Sequence, residues 1–319
     1  MLNKGQLKRL LDCVQQLPMF KIDVDAGIFA RQLVTETLNE LFRHEFAEPK
    51  WATGELLPID GSLSDGATEY SYNEILHTGL AKIVADNATD IPRAEIQGKN
   101  NVHPVKTVAC SFEYTTQEVR TAMKNGMFQI PAEKSLAART AHDYALHNFI
   151  RDGVPTHNLA GITNAPGIIV LGATTGTWSS ATAVQIVDDF TTGTNLIMSL
   201  SDGIEVPDSA VFPLEQFLRI STLQNSAASD ITVLEYLQKA FPMITTWTWE
   251  AGMRTVGSGG TPAALIYKKD PSKARAVQPM TLQALAPEAD GLTFKVTLES
   301  RFGGVMAPKP RSIERLEGI

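Results

Sequence analysis

Six histidines, His44, His77, His103, His142, His147 and His157, are the first residues to weigh for chemistry, because imidazole binds metals and moves protons near neutral pH. Only His142 and His147 share a predicted helix. Five residues turn them about 140° apart, which is not the i, i+4 spacing of a zinc pair, so they read as structural or surface histidines. Asp188 and Asp189 are adjacent on a second predicted helix and diverge by about 100°; they read as a solvated face. Gly257-Ser258-Gly259-Gly260 lacks the Lys-Ser/Thr ending of a phosphate loop, and no Gly-x-Gly-x-x-Gly follows a strand. No Gly-x-Ser-x-Gly elbow presents a nucleophile. Trp247 and Trp249 share one face of a predicted strand and, with Trp51 and Trp178, raise the idea of a stacking platform for a sugar or base. Core packing is the better reading. Asn87-Ala88-Thr89 fits a glycosylation acceptor pattern and reads as chance. No catalytic motif survives, and no cofactor or metal is implied.

The elements that would position these residues are mixed. Leu7, Leu10, Leu11, Val14 and Leu17 fall on one side of an amphipathic helix stopped by Pro18. Such a helix either docks on its own domain or contacts a partner chain. A second helical pattern over 21–47 carries Ile28, Phe29, Leu33, Val34, Leu38, Leu41 and Phe42. Val108, Cys110, Phe112 and Tyr114 alternate with polar or small residues, the period of a half-buried strand. Tyr70 and Tyr72 predict the strand opposing it, so that roughly 75–104 become a long excursion with a loose, polar tip. A lone hairpin is marginal in water and exposes edges that invite pairing; it makes sense if another subunit covers it.

A short helix over TQEVRTAMKNGM ends near Gly126. The next, 132–152, begins after Pro131 and stops at Gly153, a glycine suited to the position after a helix end. Ala137, Ala141, Tyr144, Ala145, Asn148 and Phe149 are its predicted packing face. Then comes NLAGITNAPGI (158–168), which could cradle a ligand or simply turn a corner. Thr182 with Gln185 and Thr232 with Glu235 have capping-box spacing. Strands follow at MITTWTWEA, PAALIYKKD and LTFKVTLES. Helices and strands without regular alternation give an α+β chain.

Composition bounds the partners. In 319 residues, 43% are hydrophobic and 20% charged, with a net charge of −7. A DNA reader usually carries a basic face, so direct readout is disfavoured. No apolar run approaches the roughly 18 residues of a membrane span. The start lacks the apolar core and cleavage site of a secretory leader. Two cysteines, Cys13 and Cys110, exclude a disulfide framework and fit manufacture in a reducing compartment.

Taken in order, these stretches resemble a known family. A long helix ending in RDG followed by NLAGITNAPGI is similar to the spine helix and the entry to the axial domain of tailed-phage major capsid proteins with the Hong Kong 97 phage fold. The subgroup it most resembles is distantly related to encapsulin shells. FARQLVTETLNEL, VACSFEYTTQEVRTAMKNG, AARTAHDYALHNFIRDG, SDITVLEYLQKAFPMI and SRFGGVMAPKPRSIERLEGI agree with the family in order, over roughly residues 25–319. No single motif decides it, and the first twenty residues are the departure.

The resemblance implies an N-terminal arm (1–48), a peripheral domain (49–65 and 111–160) holding the spine helix 132–152, and an extended E-loop (66–110). An axial domain (161–288) and closing strands of the peripheral domain (289–319) complete it. It implies self-assembly into hexamers and pentamers of an icosahedral head around double-stranded DNA. The DNA lies nearby without sequence-specific binding; portal, scaffold and decoration proteins are the other partners. No membrane is involved, and the place is the virion, built in the bacterial cytoplasm. Asp86, Asn87, Asp90, Arg93 and Glu95 would make E-loop contacts between subunits, and Gly153, Gly161, Pro166 and Gly167 would form the domain hinge. In that hinge Gly161 and Gly167 adopt backbone conformations other residues resist, and Pro166 stiffens the exit. Two alternatives stand beside this reading. One is an encapsulin-type shell holding a cargo enzyme; the other is an enzyme or carbohydrate-binding module with a site at Trp247, Trp249 and the GSGG loop.

Overall fold

The computed structural model describes residues 47–83, 93–125, 130–174, 176–226 and 230–319. Residues 47–319 form one compact unit, and the fold below is that unit's. The helices expected before residue 47 lie outside the described residues. In chain order the first elements are strands β1 (Ile59–Asp60), β2 (Glu69–Thr78), β3 (Glu95–Pro104) and β4 (Lys106–Thr115), then helices α1 (Thr116–Asn125) and α2 (Ile130–Asp152). Next come β5 (Ile169–Gly172), α3 (Ala183–Leu200), β6 (Ser209–Phe212), α4 (Leu214–Thr222), α5 (Val233–Ala240) and β7 (Thr246–Trp249). The remainder is strand: β8 (Ala263–Tyr267), β9 (Arg275–Val277), β10 (Met280–Ala284), β11 (Glu288–Asp290), β12 (Thr293–Phe302), β13 (Val305–Met306) and β14 (Ile313–Glu317).

A five-stranded sheet in the order β5-β14-β8-β6-β7 is the centre. Its middle strand, AALIY, is buried at every position, the sign of a strand covered on both faces. Ala264 and Ile266 face one core with Phe190, Phe212, Ile220 and Leu237, brought by α3, β6, α4 and α5. Leu265 and Tyr267 face a second core with Trp51, Leu57, Leu146 and Ile150, two of them from α2. α3 begins as expected, with a reciprocal capping box between Thr182 and Gln185. Thr232 accepts from the Glu235 amide at 3.3 Å and starts α5 by the same logic.

Pairing of the long strands departs from expectation. Tyr70 and Tyr72 do not face the 108–114 strand. β2 pairs with β3 through ten positions, from Glu69 opposite Pro104 to Thr78 opposite Glu95. β4 pairs instead with β12, from Thr115 opposite Thr293 to Lys106 opposite Phe302, and β12 carries β10 and β11 on its other side. Residues 106–110 therefore belong to that second sheet, and β14 to the five-stranded one. A strand covered on one face by α2 finds more apolar area against β12, whose Phe294 stacks on Tyr114 at 5.4 Å, than in a bare ribbon.

The face of α2 also differs. Ala137, Ala141 and Asn148 are exposed, and the buried side is Ala138, His142, Leu146 and Ile150, with His147 and Arg151 beside them. Two histidines and an arginine on the inner face turned the apolar reading by about one residue, roughly 100°.

Candidate assembly surface

β2 and β3 form a two-stranded sheet that no third strand joins among the described residues. Opposed residues share a face, so the ladder sorts into two sides. Tyr70, Tyr72, Glu74, Lys99, Asn101 and His103 make one, and it is anchored. The Tyr70 and Tyr72 rings stack on His103 at 5.3 and 5.7 Å, and Tyr70 donates to the Gly303 carbonyl at 3.2 Å. Val105, Val277 and Met306 pack with Tyr70 beneath them. Burial raises the Tyr70 pKa and lowers that of His103, so both stay uncharged at neutral pH. A cleft of about 280 Å³ separates this side from Pro166, Gly167, Val305 and Pro310.

The other side is bare. It carries Val102, Ile75 and Ile96, and Ile75 and Ile96 are 62% and 69% exposed. Leu76, on the anchored side but beyond the anchor, is 60% exposed. A single exposed leucine is ordinary, but several on one unsupported ribbon mark a contact surface. The expected contacts, Asp86 to Glu95, are polar and do not include these residues. The available signal was the apolar pair Ile75-Leu76, which places one aliphatic side chain on each face of the strand. Of the five residues proposed for E-loop contacts, Asp86, Asn87 and Asp90 lie outside the described residues. Arg93 and Glu95 are exposed, and Glu95 opens β3 opposite Thr78. Leu7, Leu10, Leu11, Val14 and Leu17 also lie outside the described residues.

NLAGITNAPGI is a tightly bonded corner. Gly153 has φ +69°, and a Cβ on it would lie 2.5 Å from the Gly161 nitrogen. Gly161 is needed for a different reason from the one expected. Its φ is not in the left-handed region; instead its Cα rests against the backbone of Arg151, Asp152 and Gly153, leaving no room for a side chain. Gly167, at φ +84°, does use glycine's freedom. The Asn164 side chain accepts from the Gly161 amide at 2.7 Å and donates to the Asp152 carbonyl at 2.6 Å. Backbone and side-chain groups around the turn thus satisfy one another.

The residues that suggested chemistry are spent on packing. His142 lies between Asp143, at 3.3 Å, and Ser300, at 2.6 Å. The order is that of a hydrolase triad, but His142 and Ser300 are both buried, so no substrate can reach the hydroxyl. His147 meets Glu250 at 3.1 Å, and Arg151 donates to the same carboxylate at 3.3 Å. Burial raises the Glu250 pKa, but hydrogen bonds from His147 and the Gly252 amide and the Arg151 charge outweigh it, so the carboxyl titrates below its usual range.

Asp189 corrects the reading of a solvated face. Asp188 is exposed, whereas Asp189 is buried and accepts from the Thr174 amide and hydroxyl and from the Trp178 indole N–H at 3.1 Å. Trp247 packs in the core at 5.3 Å from Phe190. Trp249 is covered by the Lys50 ammonium, 4.8 Å from its ring centroid. That leaves no paired stacking platform at Trp247 and Trp249. Among the described residues no cluster could hold a metal, and no helix is long and apolar enough to cross a membrane.

A sequence profile of the major capsid protein family matches residues 79–319. The chain belongs to the major capsid protein family. Solved capsids agree on the fold. The capsid of Myoviridae phage XM1 superposes with a TM-score of 0.79 at 17% identity, over 91% of this chain and 98% of that one. Mycobacterium phage Bobi matches at 0.65 and 12% identity, over 93% and 99%. The capsid of a native GTA particle, computed with C5 symmetry, matches at 0.64 and 11%, also over 93% and 99%. No curated protein sequence matches the chain. The α+β, Hong Kong 97-like capsid fold is thereby shown, and this major capsid family member is a structural shell protein. An encapsulin-type compartment is not favoured over a phage capsid.

Proposed function

We propose that the subunit assembles into hexamers and pentamers of an icosahedral head enclosing double-stranded DNA, with the β2–β3 hairpin as its E-loop. The observation that carries this is the hairpin itself: a ten-pair ladder anchored at its base and bearing Val102, Ile75 and Ile96 on a side that is exposed among the described residues. A neighbouring copy would bury that side. Stable interfaces bury about 1,600 Å² in all, and a subunit making several weaker ones at once gains by multivalency. In this proposal the sheet packed on α2 is the peripheral part and the five-stranded sheet the axial part. The corner at 158–168 is the hand-over between them, a rigid bend set by Gly153 and Gly161.

The net charge of −7 suits an inner wall that does not hold DNA by releasing counterions. Portal, scaffold and decoration proteins are the further partners, the virion is the location, and the host cytoplasm is where assembly takes place. The subunit's role is structural and needs no cofactor.

The test replaces residues 76–97 by Asn-Gly, a turn that closes the shortened ladder. Negative-stain electron microscopy of the intact chain should show closed shells or capsomer sheets. The shortened chain should remain folded by circular dichroism and form none. Normal shells from the shortened chain would overturn the E-loop assignment.

A further inference from the structure

Glu314 occupies a place built for an uncharged side chain. It lies on β14, opposite Ile169 of β5 and Ile266 of β8, so its carboxyl shares a row with two isoleucines beneath α3. Its exposure is 0%, and neither oxygen has a hydrogen-bond partner among the described residues. Against it stands Gly193, in the middle of α3. A Cβ on Gly193 would collide with the Glu314 carboxyl. Glycine inside a helix is disfavoured relative to alanine, so α3 gives up propensity to make room for this group. The neighbouring Thr194 hydroxyl is also buried without a partner among the described residues.

Among the described residues, no charge faces the carboxyl from the elements around it. On α3 the ionisable side chains are Asp188, which is exposed, and Asp189, held by Thr174 and Trp178. β5 and β6 have none, and Tyr267 of β8 faces the other core. On β14 itself Arg315 pairs with Glu317 at 2.5 Å. Arg311, in the turn before β14, is exposed. A buried carboxyl without a cation is tolerated as the neutral acid and resisted as the anion.

We propose that Glu314 is a proton-operated latch: protonated, it seats α3 on the five-stranded sheet, and ionised, it loosens that contact, so that pH sets the cohesion of the subunit. Burial pushes its pKa from 4.5 up to about 8. The sign follows from linkage. Below 4.5 folded and unfolded chains both hold the proton. Between 4.5 and 8 only the folded chain holds it, so stability falls as pH rises. Above 8 both have lost it and the loss is complete. Because β14 lies between β5 and β8, loosening it disturbs both neighbours.

Urea unfolding of the soluble full-length subunit from pH 5 to 9 tests this, with Glu314→Gln as the uncharged isostere. Relative to the variant, the wild-type unfolding constant should rise by up to about three orders of magnitude across that window. Parallel pH profiles would overturn the latch. A second measurement does not depend on the variant folding. In wild-type protein labelled with ¹³C at the glutamate carboxyls, one carboxyl should titrate near pH 8. If every glutamate carboxyl titrates in the ordinary acidic range, the proposal fails.

Discussion

β8 buries all five of its residues between two cores, while β3, twice as long, leaves its first six exposed. The five-stranded sheet completes itself within one chain. The hairpin is complete only at its base, where Tyr70 and His103 stack and Val105 packs below. Substitutions in the sheet region should therefore be felt as stability, and substitutions in the outer hairpin as assembly. The same kinds of side chain do opposite work depending on whether the chain itself supplies the cover.

The largest effect should come from Glu250→Ala. It takes the buried carboxylate away from His147 and leaves Arg151 paired with Asp152 alone, and breaking such a buried pair costs about 3–5 kcal/mol in urea unfolding. The pH dependence has a definite sign. Because the folded carboxyl titrates below its ordinary 4.5, its contribution is present above that value and is lost as pH falls through the folded pKa. The wild type should show this acid loss and Glu250→Gln should not.

Gly161→Ala comes next, at about 3 kcal/mol, since backbone on three residues would have to shift. If it were tolerated without loss in melting temperature, the corner would be free to move and the proposed rigid bend would be wrong. Tyr70→Phe removes one hydrogen bond at the hairpin base and should cost about 1 kcal/mol. A larger loss would mean that the hairpin and the body unfold as one.

The smallest effect on stability sharpens the comparison most. Ile75→Ser, Leu76→Ser and Ile96→Ser together should change unfolding by under about 0.5 kcal/mol, as exposed substitutions do. Yet shells should disappear from micrographs. Shells from the triple variant would show that another surface carries the contact.

Much of the fold was legible in local chemistry. The cap at Thr182, the stop at Gly153 and the apolar runs of β8 and β12 announce themselves because each depends on a few neighbouring residues. The errors share one cause: each concerned a group whose partner lies outside its own helix or strand. α2 was rotated because His142, His147 and Arg151 are satisfied by Ser300 and Glu250. Asp189 was placed in water because Trp178 and Thr174 meet it only after α3 docks. β4 was paired with β2 although its partner lies beyond residue 290.

By itself, then, the sequence determined the kinds of element, where several of the described helices begin or end, the absence of a recognisable catalytic motif, and the ordered pattern that marks the family. Those follow from backbone sterics, capping and apolar periodicity, which act over a few residues. Only the tertiary structure decided which strands pair and which face of α2 turns inward. It also decided that a carboxyl at Glu314 is buried and that the outer side of the hairpin is left bare. These depend on burial, and burial is set by segments of the chain far apart in sequence.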